Sequence, residues 1–118
     1  MEEKKSNMES LRKSRKIDEI CNIILRTATK GIAHKIYLLG SYAYGEPNER
    51  SDVDILTIIE DNTRQFKEYA KMKMELENEN IDYCDLIISR KSEFYNSVKE
   101  NHNSIEYLIS TQGEVLYG

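Results

Sequence analysis

The chain lacks the features that mark membrane proteins, secreted proteins and zinc proteins. None of its apolar runs approaches the roughly 20 residues of a membrane span, and its first residues, Met-Glu-Glu-Lys-Lys, lack the apolar segment of a secretory signal. Its two cysteines, Cys21 and Cys84, fit neither a disulfide framework nor the paired spacing of a metal site. We therefore expect a cytoplasmic protein with two buried free thiols and no membrane association.

Excess basic charge is absent as well. The formal net charge is -4, whereas a general nucleic-acid binder usually carries a basic stripe, so stable nucleic-acid binding is not expected. One group of basic residues does occur early in the chain: Arg12, Lys13, Arg15 and Lys16. Because acidic residues lie close to it in sequence, we interpret this group as a solvated helix face.

The size and composition of the chain predict one domain. A chain of 118 residues with 39% hydrophobic content can build a single core, so we expect one domain spanning residues 1–118. Residues 1–8 are polar and are expected to be frayed. From Ser10 onward, apolar residues recur at intervals of three and four, which predicts one amphipathic helix that ends near Gly31.

The remaining chain alternates between strand-like and helix-like patterns. Strands are predicted at 35–39, 53–59 and 81–88, and helices at 64–79, 93–99 and 104–111. Residues 115–117 are expected either to add a short strand or to pack under the sheet. The helix between the second and third strands implies a crossover, so these two strands should be parallel. The pattern predicts an α/β (α+β) fold with a small mixed β-sheet and helices packed on one face.

Two carboxylates open the second predicted strand. Asp52 and Asp54 stand two residues apart, and side chains i and i+2 of a strand point to the same face. Holding two like charges that close costs free energy unless a cation lies between them. A small number of hard oxygen ligands is what Mg²⁺ accepts while it keeps waters and substrate phosphates. The pair therefore predicts a divalent metal site.

A glycine-serine turn precedes this pair. The first predicted strand runs directly into Gly40-Ser41, and a residue without a Cβ lets backbone N–H groups approach an anion closely. Most glycine-serine pairs are ordinary turns. A strand, Gly-Ser, ten residues and an Asp-x-Asp opening a second strand form a more demanding pattern, which favours phosphate binding.

A third acid is expected from the third predicted strand, which contains Asp82 and Asp85. These two residues are three apart and point to opposite faces, so at most one of them can join Asp52 and Asp54. An unpaired carboxylate within an apolar strand is costly and needs a reason. The residue pattern alone leaves both candidates open.

Gly40-Ser41, ten residues and Asp52-Val53-Asp54 together resemble the signature of the DNA polymerase β-like nucleotidyltransferase superfamily. The chain is most similar to the minimal nucleotidyltransferase branch, and segments 92–94 and 113–117 also look like that branch. The resemblance implies the superfamily fold and transfer of a nucleotidyl group, with ATP as substrate and two Mg²⁺ ions as cofactors. The resemblance extends from the first helix to the last residues.

The resemblance also implies roles for five residues. Asp52, Asp54 and Asp85 would be the catalytic carboxylates and the metal ligands, and Asp85 would accept the proton of the attacking hydroxyl. Gly40 and Ser41 would bind the β- and γ-phosphates. The family pattern favours Asp85 as the third acid because three apolar residues follow it and a Glu-Phe pair comes shortly after.

One departure from the family concerns the turn after Gly40-Ser41. Relatives often carry arginine where this chain has Tyr42 and Tyr44, so a phosphate-contacting cation is expected from elsewhere, either Arg50, Lys91 or a partner's side chain. The two tyrosines either stack on a base or pack the loop.

Minimal nucleotidyltransferases of this size resemble the antitoxin of a two-protein module whose toxin is a small helical HEPN-type RNase. The resemblance implies transfer of AMP onto a tyrosine of that partner. Two alternatives stay open: a small-molecule nucleotidyltransferase of the aminoglycoside-modifying kind, and a non-catalytic protein that neutralises its partner by contact alone.

Overall fold

A computed structural model describes the backbone of residues 2–118 and the side chains from Met8 onward. The elements in chain order are α1 Glu2–Arg15, α2 Ile17–Thr27, β1 Ala33–Leu39, α3 Ser41–Tyr44, β2 Val53–Ile59, α4 Gln65–Asn78, β3 Cys84–Arg90, α5 Lys91–Glu100, α6 Ile105–Gln112 and β4 Glu114–Tyr117. The fraying expected for residues 1–8 falls on Met1, which lies outside the described residues, and on residues described as backbone only. It stays a prediction.

The four strands form one mixed sheet in the order β3-β2-β1-β4. Strand β1 pairs antiparallel with β2 and with β4, while β2 and β3 are parallel and are joined through α4. The mixed sheet and the parallel pair confirm the sequence predictions, and of the two alternatives for residues 115–117 the structure shows the strand. Because β2 and β3 are parallel, their first residues lie at the same end of the sheet.

Helices cover both faces of this sheet, so the prediction of helices on one face is wrong. Side chains alternate between the faces along each strand. One set of strand residues packs in the core with α2 and α4, whereas Tyr37, Leu39, Leu56 and Ile58 pack with Phe94 and Ile109 of α5 and α6. The runs of β1 and β2 are apolar on both sides, and such strands become buried on both faces.

The N-terminal segment forms two helices where the sequence predicted one. Helix α1 ends at Arg15 and α2 begins at Ile17, with Lys16 between them. Five polar residues separate Leu11 from Ile17, and Leu11 is exposed, so the apolar stripe is interrupted before α2. Helix α2 carries a continuous buried stripe, whereas the part of α1 whose side chains are described makes a different kind of contact, given below.

Strand β3 begins three residues later than the predicted start at position 81. The backbone N–H of Ile81 donates to Leu76 O at the end of α4, at 2.9 Å. Asn80 has φ 61°, in the left-handed region that asparagine tolerates better than most residues. The chain therefore turns after α4 before it enters the sheet, and Asp82 lies in this connection.

A buried acid fastens α4 to the segment before β1. Glu68 is 2% exposed, and its carboxylate accepts from the Thr29 backbone N–H at 2.8 Å and from the Thr29 hydroxyl at 2.9 Å. The Lys71 ammonium lies 3.0 Å away. Burial alone would raise the pKa of Glu68, but the Thr29 and Lys71 hydrogen bonds outweigh it and the pKa is lowered.

Cys21 and Cys84 are both free and buried, which confirms the interpretation of the two thiols. Within residues 2–118, none of the helices has the length and apolar character needed to cross a bilayer.

Candidate active site

The parallel pairing of β2 with β3 places two of the predicted carboxylates side by side. Asp54 is the register partner of Asp85, and on its other side it is paired with Leu39, the last residue of β1. Asp52 immediately precedes β2 and lies two residues before Asp54. Asp82 lies in the connection before β3 and has no strand partner. The topology therefore brings Asp52, Asp54 and Asp85 to one end of the sheet.

Asp54 is the central carboxylate of this group. It is half-buried, and its pKa is raised by burial, by the charge of Asp85 and by the charge of Asp52, in that order of importance. Among the described side chains, it has no hydrogen bond or ion pair to a basic group. Hard oxygen donors that destabilise one another fit a divalent cation such as Mg²⁺.

The three carboxylates share an end of the sheet without forming a ready ligand shell. Among the side chains from Met8 onward, no three histidine, cysteine or acidic groups are close enough together to hold an ion. Asp52 and Asp85 are exposed, whereas Asp54 is half-buried and its carboxylate lies against Gly40. Like charges repel one another when nothing neutralises them, so a cation would be needed to draw the three carboxylates into one ligand set.

Gly40 connects β1 to α3 and lies against Asp54. Its φ of 73° and ψ of -156° belong to a backbone region used almost only by glycine. A Cβ at this position would overlap the Asp54 carboxylate. Ser41 begins α3, and the N–H groups of Ala43 and Tyr44 are bonded to Gly40 O at 3.0 Å. Gly40 therefore adjoins the central carboxylate, and Ser41 follows it at the start of α3.

The loop between α3 and β2 is fixed by its own short-range bonds. The Ser51 hydroxyl accepts from the Asn48 N–H at 3.0 Å, and the Ser51 N–H donates to Asn48 O at 3.1 Å. The Asn48 side-chain oxygen accepts from the Arg50 N–H at 2.8 Å. Ser51 therefore holds the loop rather than a carboxylate. The role of Asn48 was not predicted, although asparagine commonly makes such turns.

Lys13 departs from the interpretation of its group as a solvated helix face. It is only 7% exposed, and its ammonium donates to Glu49 O and to Ser51 O, both at 2.9 Å. Ser10, Lys13 and Ile17 are spaced by three and four, and all three are buried. That spacing was the available sequence signal that Lys13 points inward. Arg12, Arg15 and Lys16 do lie on the accessible side, as predicted.

The two tyrosines after Ser41 differ in environment. Tyr42 packs against the main core, and burial raises its pKa, opposed by the Ser10 hydroxyl. Tyr44 is 39% exposed. Lys91 follows the far end of β3, about 20 Å along the strand from Asp85 at ~3.3 Å per residue, so it is not the missing cation. Arg50 is exposed and lies two residues before Asp52.

An apolar groove of about 520 Å³ runs along α4 and β3. Phe66 and Tyr69 of α4 line it, together with Leu86, Ile87 and Ile88 of β3. None of its lining residues belongs to the carboxylate group or the glycine-serine turn. The groove is therefore separate from the candidate site.

Comparison with known proteins shows the family and the fold. Residues 17–111 match the model of a family described as nucleotidyltransferase domain. The crystal structure of a candidate nucleotidyltransferase from Sulfolobus solfataricus has a similar fold, with a TM-score of 0.58 and 19% sequence identity over 75% of this chain and 77% of that chain. Likeness at that identity shows the fold alone. No curated protein matches the chain in sequence.

Proposed function

Because the chain belongs to the nucleotidyltransferase domain family, we propose that it moves AMP from ATP onto a hydroxyl group of a protein acceptor in a Mg²⁺-dependent reaction. The observation that carries the proposal is the register pairing of Asp54 with Asp85 on parallel strands, beside Asp52 and Gly40. A structural role does not explain three neighbouring acids that have no basic partner among the side chains from Met8 onward, since replacing any one of them would relieve repulsion.

The carboxylates would bind the metal. Asp54 would be the central ligand, and the exposed side chains of Asp52 and Asp85 would turn toward the same ion. Mg²⁺ held by these carboxylates would supply positive charge that neutralises the triphosphate. Two ions are expected by analogy with the superfamily. The role of the protein is mainly to position the reacting groups and to neutralise charge.

The remaining groups act on the substrate. Gly40 and Ser41 bind the β- and γ-phosphates, because the glycine backbone allows close approach of an anion. Asp85 accepts the proton from the attacking hydroxyl, whose oxygen forms a bond to the α-phosphorus. The bond between the α-phosphorus and the bridging oxygen breaks, and pyrophosphate leaves with the electron pair. Arg50 is the intrinsic candidate for a further phosphate contact.

For the acceptor, we propose a tyrosine of a small helical HEPN-type partner, which would make the protein an antitoxin. Support comes from the resemblance to minimal nucleotidyltransferases. None of the cavities described is lined by the candidate site residues, so no acceptor pocket encloses the site among them. An open site is compatible with a protein acceptor. A macromolecule can present its own hydroxyl at an open site.

The test is incubation of the purified protein with α-labelled ATP, Mg²⁺ and extract of its source cells, followed by a denaturing gel and mass spectrometry. We expect one labelled protein band, with AMP on a tyrosine. The band should be lost with Asp54→Asn and kept with Asp18→Asn, a matched control because Asp18 is exposed on α2.

Other outcomes would refute parts of the proposal. Pyrophosphate release only after addition of aminoglycosides, without a labelled protein, would replace the protein acceptor by a small molecule. Absence of nucleotide transfer in both assays, with neutralisation of a partner that survives Asp54→Asn, would favour a protein that acts by contact alone.

A further inference from the structure

Lys13 is a buried cation that is partnered by backbone carbonyls. Its ammonium donates to Glu49 O and Ser51 O, and among the described side chains no carboxylate lies within ion-pair distance of it. Burying a charged group costs free energy unless it is well hydrogen-bonded. A methionine would cover the same apolar surface without that cost, so the two hydrogen bonds are what distinguishes lysine here.

Both carbonyls belong to the loop that ends at Asp52. Glu49 lies three residues before Asp52 and Ser51 lies one before it. On the other side of Asp52, the Val53 N–H donates to Tyr83 O at 2.8 Å. The Tyr83 ring also faces the Lys13 ammonium, whose nitrogen is 5.5 Å from the ring centroid. Asp52 is therefore held from one side by α1 and from the other by the segment that enters β3.

We propose that Lys13 is a positioning residue for the metal site: it fixes the backbone before Asp52 so that the Asp52 carboxylate stays beside Asp54. This inference rests on the proposed function, because it assumes that Asp52 contributes to metal binding. Lys13 itself points at the loop backbone and touches neither metal nor substrate. Its effect on the reaction is transmitted through the orientation of Asp52.

The test compares Lys13→Met with Arg15→Met in the full chain. Each variant removes one positive charge from α1, but Arg15 is exposed and makes no hydrogen bond or ion pair among the described residues. The first readout is Mn²⁺ affinity, measured by electron paramagnetic resonance. The second is amide hydrogen exchange in residues 46–52 of the metal-free protein, and thermal unfolding is recorded beside both.

We expect Lys13→Met to weaken Mn²⁺ binding roughly 10- to 100-fold, the range found when groups that orient metal ligands are lost. Exchange should accelerate at least about tenfold in residues 46–52 and stay unchanged in the sheet, because the loss is local. Lys13→Arg keeps the charge but puts a larger planar guanidinium in place of a compact buried ammonium, so we expect it to give values between those of Lys13→Met and the wild type in both readouts. Arg15→Met should leave both unchanged.

Each contrary result is decisive. If Lys13→Met and Arg15→Met bind Mn²⁺ equally, the positioning role is refuted while the metal site stands. If Lys13→Met fails to fold, or exchange rises throughout the sheet, Lys13 supports the fold as a whole and the inference is also wrong. If the wild type does not bind Mn²⁺, or if Asp54→Asn binds it as tightly as the wild type does, the proposed metal site is wrong and the inference fails with it.

Discussion

Gly40→Ala should damage the candidate site through two separable effects. The first is backbone strain, because φ 73° with ψ -156° is a region almost exclusive to glycine, and a side chain there costs about 1–3 kcal/mol. The second is steric, because the new Cβ would overlap a carboxylate oxygen of Asp54 and lie 3.2 Å from its Cγ. Asp54 must then move, and a displacement of about 1 Å in a catalytic group costs on the order of 10²-fold in rate.

Gly31→Ala is the matched control for this prediction. Gly31 also has positive φ, 80°, but an added Cβ would meet no atom within 4 Å. It should lose about 1–2 kcal/mol from strain alone and keep its activity. Urea unfolding measures the stability of both variants, and AMP transfer from labelled ATP measures their rates. If Gly40→Ala retained wild-type activity at a stability equal to that of Gly31→Ala, the contact between Gly40 and Asp54 would have no bearing on catalysis.

Three further predictions concern the fold and the choice of carboxylates. Glu68→Gln should lose about 1.5–3 kcal/mol at neutral pH, whereas exposed Glu77→Gln should lose almost nothing. Folding lowers the pKa of Glu68, so its contribution to the free energy of unfolding is fully present above the unfolded-state pKa of about 4.3 and is lost as the pH falls through the folded-state pKa. The free energies of unfolding of Glu68→Gln and the wild type should therefore differ near neutral pH and converge in acid. Burial raises the pKa of Cys84 to about 12, so iodoacetamide at mildly alkaline pH should label it only after unfolding; rapid labelling of the native protein would contradict its buried position. Asp85→Asn should lower AMP transfer on the order of 10²- to 10⁴-fold, as expected for loss of a general base, whereas Asp82→Asn should stay within about threefold; the reverse order would show that Asp82, and not Asp85, is the third acid.

Strand β2 illustrates what the sequence could predict well. Its residues 53–59 are almost all apolar and β-branched, and its observed bounds equal the predicted ones. The helix after it made a crossover necessary, so the parallel direction of β3 followed from chain connectivity. The same apolar runs carried the signal for burial on both faces, which the one-face prediction overlooked: Leu56 and Ile58 face α5 and α6.

The start of β3 shows where local patterns are insufficient. Residues 81–83 are strand-like in composition, yet the Ile81 N–H completes the end of α4 and Asn80 turns the chain. A pattern of residue types does not show which carbonyl oxygen a given backbone N–H donates to. The register that pairs Asp54 with Asp85 depends on this start, and for that reason the residue pattern left Asp82 and Asp85 open.

Lys13 illustrates the same limit within the site. A lysine among three other basic residues has the composition of a solvated helix face, and only the fold brings the 49–51 carbonyls to its ammonium. The partners are backbone atoms, which carry no residue-type signature. The helical spacing from Ser10 to Ile17 indicated an inward direction, but not a partner.

The most direct test of the account is a crystal structure of the wild-type protein with Mn²⁺ and a non-hydrolysable ATP analogue, with the metal located by its anomalous signal. The account predicts a peak about 2.2 Å from carboxylate oxygens of Asp52, Asp54 and Asp85, between the usual Mg²⁺ and Ca²⁺ distances, with the triphosphate against Gly40 and Ser41. A nucleotide bound elsewhere, or a metal peak that does not include Asp54, would contradict it.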